Sequence, residues 1–530
     1  MIMKNSLFKR VLSLALAAVT ALSLAACGGG KSGSGSQAGG GQDVVDGVKQ
    51  NLTIGVTSLW STLSPFQGNN AQYANFVRAI YDRMGVFYNG ECIKQAAESW
   101  EVAEDGVTWT VKIKDGLIDT ADNKITADDM VWYIEESIDR ALKPQFNKVA
   151  SVLKVDDLTF QVVMKSDVVG SFELVMASTY VVSRAAFEAS DDEFADSVVS
   201  TSPYEVVEFV SGSHLTLKKR DDYWNADSQE AIFQNNAENV TFQVISEPSQ
   251  QQVALETGTV DAFESVTASL IPNFEGRDDY GLITNLANNG VQMYFSGDAG
   301  SPVANDVNLR KAIAHAIDIN GLITTALEGR ADALHDPAGP NLMGYVSAWD
   351  EEEYFPYDTE LSAEYLAQSD YNGETLYLMS ASFGSYSRVC QALQGYLLAA
   401  GINCELKLVD NAMFTSTLFD GSQYDMILVS AGGMTITNLW SNRFDMNAYA
   451  NGDATGRRDE VLTNMIYNTW TQAGFTDENI TSVHNYLKEN CIAYGLYIPW
   501  CDSVYRTESR ISEAPVGASG AADFVAADFQ

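Results

Sequence analysis

Residues 376–379, 388–400 and 404–408 read as strand, helix and strand, with Gly401 stopping the helix, and this succession constrains the fold more than any other feature of the chain. A strand returned to its sheet through a helix runs parallel to the strand before it, whereas a hairpin would reverse it. The run 425–429 supplies the next strand. An earlier stretch, 251–262, has the same grammar: a helix, a glycine stop at Gly258 and a short apolar strand. The two stretches lie far apart, so each is assigned to its own lobe. About 480 folded residues exceed one ordinary core, which also predicts two or three lobes with a cleft between them as the default ligand site.

Periodicity supplies the remaining elements. Strands are expected at 52–56, 109–113, 158–164, 204–209, 214–217, 240–245 and 291–295. Residues 72–84 read as a helix with Tyr73, Phe76, Val77, Ile80 and Met84 on one face, and 308–322 as an amphipathic helix reached through a loop at Pro302. Thr126-Ala127-Asp128-Asp129 has the chemistry of a helix cap ahead of Met130, Trp132, Tyr133 and Ile134. The fold class is α/β.

The N-terminus carries an address. Lys4, Lys9 and Arg10 precede an apolar run, 11–26, shorter than the ~20 residues that span a bilayer, so 1–26 reads as a signal peptide. Cys27 directly after Leu24-Ala25-Ala26 resembles the bacterial lipobox, in which that sulfur is lipidated and becomes the mature N-terminus. Two acyl chains on Cys27 suffice for stable anchoring. Residues 27–50 then form a tether, dominated over 28–41 by Gly, Ser and Gln, which cannot bury enough apolar surface to fold. Gly28-Gly29-Gly30-Lys31-Ser32 is no phosphate loop, because Ala25 stands where its first glycine is required.

The formal net charge is −38. Loss of the leader cations leaves 29 Lys and Arg against 70 Asp and Glu, a net of −41. Such a body excludes nucleic acid as a partner and is repelled by anionic lipid, which leaves the acyl chains as the means of attachment. Cys390 with Cys404 and Cys491 with Cys501 are close enough to pair, with Cys92 left over, but spacing decides neither. The histidines His214, His315, His335 and His484 are scattered and there is no C-x-x-C, so no metal or other cofactor is expected. Neither His-Glu-x-x-His nor Gly-x-Ser-x-Gly occurs, which argues against a peptidase or other hydrolase. With 70 acids, a pair of carboxylates in sequence carries no information.

Several blocks together resemble the peptide/nickel class of ABC-transporter solute-binding proteins, family 5, which includes dipeptide- and oligopeptide-binding lipoproteins. They are residues 97–116 followed by 125–131; Ser202-Pro203-Tyr204 leading to Asp222-Tyr223-Trp224; 255–261; 309–318; and Gly401-Ile402 with Tyr424-Asp425. The resemblance implies a periplasmic-binding-protein-like type II (cluster C) fold, two large lobes around a cleft with an extra smaller domain. Lobe I would comprise 51–78, 202–290 and 503–530, the extra domain 79–201 and lobe III 291–502. It also implies a monomer on the extracytoplasmic face of the bacterial cell membrane that is not an enzyme. The protein would capture a peptide by main-chain pairing and deliver it to ABC permease and ATPase subunits. Trp100, Trp109, Trp132 and Arg310 are expected to be scaffold.

Carried over by position, one grip on the solute falls on Gln67, Gly68, Asn69 and Asn70. The other falls on Ser430, Ala431, Gly432, Gly433 and Met434, with Trp60 and Trp440 as apolar walls. Peptide-binding relatives place an aspartate where Met434 stands, to pair with the solute's ammonium. Losing that charge-assisted bond costs about 2–3 kcal/mol, on the order of a hundredfold in affinity. Either another acid such as Asp336 or Asp445 substitutes, or the solute lacks a free amine. Blocked peptides, glycans or other small molecules then become alternatives, with metal chelates ranked lower and a surface sensor, adhesin or hydrolase lower still.

Overall fold

The computed structural model describes residues 43–530 apart from 67–74, 89–90, 142–143, 383 and 518. Cys27 with its leader and tether, and the segment Gln67 to Asn70, lie outside the described residues. Among those described, no helix is long and apolar enough to cross a membrane.

Local chemistry accounts for most of the element ends. Helix Ala127–Arg140 begins at a capping box, in which the Asp129 carboxylate accepts the Thr126 backbone N–H at 2.8 Å. Helix Pro248–Thr257 opens on proline and stops at Gly258, which adopts φ 72°. The helix expected over 72–84 is described only as Asn75–Ile80. After Ile80 the chain turns so that buried Asp82 accepts hydrogen bonds from Gln95 Nε2 (2.7 Å), the Tyr223 hydroxyl (2.9 Å) and Trp224 Nε1 (2.7 Å). Satisfying a buried carboxylate outweighs one more turn of helix. The helix expected over 308–322 is likewise two, Val307–His315 and Ile319–Ala326, because the Asp318 side chain accepts the Gly321 N–H and starts a new helix.

A 13-stranded sheet dominates the chain. Ten of its strands run in the order Cys404–Val409, Leu376–Ala381, Met426–Ala431, Gly290–Phe295, Ala493–Arg506, Ala262–Phe263, Val48–Val56, Ala237–Val244, His214–Lys219 and Tyr204–Val210; off this path Val44–Val45 pairs with Val48–Val56, and Tyr280–Leu286 and Ala331–Ala333 pair with Ala493–Arg506. The parallel pairings that the strand and helix grammar predicts are present: Val48–Val56 with Ala237–Val244 and Ala262–Phe263, and Leu376–Ala381 with Cys404–Val409 and Met426–Ala431. The central strand Ala493–Arg506 belongs to both halves of the sheet. Its first part pairs with Gly290–Phe295 and its second with Tyr280–Leu286, the change falling between Tyr497 and Trp500. The halves are thus stitched at 287–289 and at 498–499.

Each half has its own packing. In the second half, Leu428 faces a core with Leu378 and Leu496, whereas Ile427 and Val429 face another around Trp440 and Ile480, as alternation along a doubly covered strand requires. In the first half, Leu52, Ile54 and Phe242 share a core with a separate antiparallel sheet, ordered Ala97–Val102, Thr108–Ile113, Thr159–Met164 and Val149–Asp156. There Trp109 stacks on Phe172 at 4.0 Å and Trp132 is buried, so both serve packing. Arg310 is buried too, donating to the carbonyls of Val303, Ala304, Asn490 and Cys491. All five described cysteines are free thiols, so neither candidate pairing forms.

Candidate functional site

A cavity of about 570 Å³ opens where the two sheet halves meet. Its floor is the crossing segment, with Asn285, Asn288 and Asn289. One wall is the loop Gly432-Gly433-Met434, which leaves strand Met426–Ala431, and the helix Ile436–Phe444 that follows. Gly432 is required here, because a Cβ would run into the Asn289 side chain. The helix begins at Thr435, whose Oγ1 accepts the Asn438 N–H at 3.0 Å. Its periodicity then sorts its side chains: Ile436, Trp440 and Phe444 enter the core, and Asn438 and Asn442 line the cavity about 200° away.

The opposite wall comes from the region of the small sheet and includes Lys148. Its ammonium donates to Asn438 Oδ1 across the cavity at 3.0 Å and lies 3.4 Å from Ser171 Oγ. Burial lowers its pKa, and among the described residues no carboxylate pairs with it. No acidic side chain lines this cavity among the described residues. The wall thus offers amides, backbone and one ammonium, a surface that hydrogen-bonds carbonyls, amides and anions.

Close approach holds the two walls together. Val169 N–H donates to the Trp470 carbonyl at 2.8 Å, and Gly170, at φ 79°, leaves no room for a Cβ, which would sit 2.5 Å from Thr435 Cγ2. Gly170→Ala is expected to destabilise by about 1–2 kcal/mol from its left-handed backbone alone, and by more from the contact. Adding Thr435→Ser, which keeps the cap and deletes Cγ2, should recover the contact part and leave the backbone part, as read by urea midpoints.

The anticipated site residues fall in different places. Gly432, Gly433 and Met434 line the cavity. Ser430 and Ala431 are still in strand, opposite Val291 and Gly290. Trp440 is fully buried in the core instead of walling the cavity. Trp60 lines a second recess of about 290 Å³ with Phe76, Glu264, Ser265 and Cys501. The recess and the cavity adjoin, since Asn285 of the cavity and Cys501 of the recess are cross-strand partners on one sheet face. Neither acid named as a substitute for Met434 reaches the cavity. Asp336 is buried against His484, and Asp445 accepts the Tyr467 hydroxyl at 2.8 Å and the Asn447 N–H at 2.9 Å. The asparagines of the floor escaped sequence reading, because Asn288-Asn289 ahead of a strand signals a turn before it signals a ligand.

The family model for bacterial extracellular solute-binding proteins, family 5, middle part, matches residues 91–453. Among curated proteins, the glutathione-binding protein GsiB of Pectobacterium atrosepticum is 22% identical over 373 residues, covering 68% of this chain and 70% of that one. Among solved structures, the ABC transporter substrate binding protein CtaP of Listeria monocytogenes matches with a TM-score of 0.79 at 19% identity, over 91% of this chain and 99% of that one. The oligopeptide-binding protein AppA of Bacillus subtilis, in complex with a nonapeptide, matches with a TM-score of 0.72 at 16% identity, over 91% and 100%. At these identities the structural likeness establishes the fold, the type II arrangement of these binding proteins. With more than half of its length matched by the family model, the chain belongs to the bacterial extracellular solute-binding proteins of family 5.

Proposed function

We propose that this protein is the lipid-anchored receptor of an ABC importer, which captures peptides in the cavity between the sheet halves and passes them unchanged to permease and ATPase subunits. The observation that carries this reading is the wall itself: asparagine amides and the exposed backbone of Gly432 and Gly433 match the donors and acceptors that every peptide main chain presents. Support also comes from the relatives, whose names specify glutathione and oligopeptides. In this reading lobe I (51–78, 202–290, 503–530) and lobe III (291–502) close on the solute, and the extra domain (79–201) supplies the Lys148 side. Gly432, Gly433 and Met434 touch solute, with Ser430, Ala431 and Gln67 to Asn70 beside them. Cys27 bears the lipid, and the monomeric body works outside the cell membrane without a cofactor.

The test is mass spectrometry of whatever co-purifies with the native protein, followed by melting with a synthetic mixture of free tetrapeptides. Recovered peptides, and a gain of about 2.7 kcal/mol at 100 times the dissociation constant, are the expected result. A sugar in the cavity, or peptides returned cleaved, would overturn it.

A further inference from the structure

Where strand Ala493–Arg506 crosses from one half of the sheet to the other, it carries a cluster of polar side chains that the solute cavity does not use. Arg330 stands just ahead of strand Ala331–Ala333, which pairs with residues 497–499 and so moves with the second half. Its carbonyl accepts the Trp500 N–H at 3.1 Å. Its guanidinium reaches past the crossing into the first half: Nε donates to Asp502 Oδ2 at 2.9 Å, and Nη2 donates to Asp502 Oδ1 and to Thr284 Oγ1, the latter at 3.1 Å. Asp502 is fixed on its own side. Its cross-strand partner Thr284 donates to Oδ1 at 2.7 Å, and its carbonyl accepts the Val266 N–H at 2.9 Å. Arg330 also covers the Trp500 ring, 4.8 Å from the centroid, and the Trp500 indole donates to Asp332 Oδ1 at 2.8 Å. The ion pair is shielded, its side chains being 14% and 2% exposed.

Two observations give this cluster a role. It lies on the back of the crossing: Asn285 and Cys501 face the cavity and the recess, so their chain neighbours Thr284 and Asp502 face the other way, and none of Thr284, Arg330, Asp332, Trp500 and Asp502 lines either space. The cavity walls also touch in this structure, Val169 with Trp470 and Lys148 with Asn438, so the pair is made while the walls are shut. A two-pronged guanidinium–carboxylate pair tolerates little displacement, and a swing of the halves about 287–289 and 498–499 draws its partners apart. We infer that Arg330 and Asp502 form a clasp behind the hinge that favours the shut arrangement, and that solute affinity is set in part by two residues that never touch solute. The inference rests on the closure of the two halves proposed above and not on the identity of the solute. Losing the clasp lowers the shut fraction of the free protein, which raises the dissociation constant of every solute by one common factor.

The test compares wild type with Arg330→Met, Asp502→Asn and the double variant, by calorimetry with three free tetrapeptides taken from the mixture that stabilises wild type and by X-ray scattering of solute-free protein. Arg330→Met keeps a chain over Trp500 but strands the Asp502 carboxylate, so it loses stability as well as closure; the double variant removes both charges and should regain part of the urea midpoint. Each variant is expected to weaken all three peptides by the same factor, about 10- to 100-fold, with the double variant no weaker than Arg330→Met alone. A residue that served stability only would move the urea midpoint and leave the dissociation constants where they were. Wild-type affinity in the double variant, or losses that differ from peptide to peptide, overturn the inference while the peptide reading stands. A wild type that no tetrapeptide of the mixture stabilises defeats the peptide reading, and scattering then decides the clasp: a larger radius of gyration in the solute-free double variant than in solute-free wild type supports it, and equal radii overturn it.

Discussion

Trp440→Ala should lower the unfolding free energy by about 3–5 kcal/mol, as large-to-small changes at buried aromatics do. The side chain is fully buried in the second half of the sheet, among Ile427, Leu439, Phe444 and Ile480, and no backbone shift can refill the space of an indole. Urea unfolding followed by circular dichroism measures the loss. The same variant separates core from cavity wall: its remaining folded molecules should bind solute with the wild-type constant, because the residues of that helix that line the cavity are Asn438, Leu439 and Asn442, not Trp440. A stable variant with weakened solute binding would return Trp440 to the wall.

A similar loss, about 3–5 kcal/mol, is expected for His484→Leu. His484 Nδ1 lies 2.7 Å from Asp336 Oδ2, and its ring stacks on Trp349 at 4.1 Å. Leucine keeps volume but abandons a carboxylate that is fully buried. Burial already pushes Asp336 above the usual range, and the hydrogen bond from His484, with help from the Trp440 indole, holds it down. Without His484 its folded pKa rises further, so protons bind more tightly to the folded than to the unfolded chain. Stability of the variant therefore falls as pH rises from the unfolded value near 4, and its deficit shrinks as pH is lowered toward that value. Adding Asp336→Asn removes the charge and should restore part of the loss at pH 7.

Wherever local chemistry decides, these features were legible in the sequence. Thr126 and Asp129 announced their helix, Gly258 its stop, and the strand and helix order the parallel pairings of both halves. Reading failed where a distant partner decided. Nothing near Ile80 reveals that Asp82 will collect donors from Gln95, Tyr223 and Trp224, and an apolar run through Ala316 hides the fact that Asp318 restarts a helix. Trp440 and Asn438 sit on one amphipathic helix, and which stripe meets the core is set by the sheet beneath it.

The strand Ala493–Arg506 has a bearing on how this protein can be cut. Whichever gene fragment ends before it, at residue 492 for instance, strips the neighbour of Ala262–Phe263 and Tyr280–Leu286 from one side and of Gly290–Phe295 from the other. Both severed edges would expose long unpaired ladders, the template on which chains aggregate. Neither half is an independent module to be excised or grafted, and a biosensor built on this scaffold must keep the polypeptide whole through Arg506.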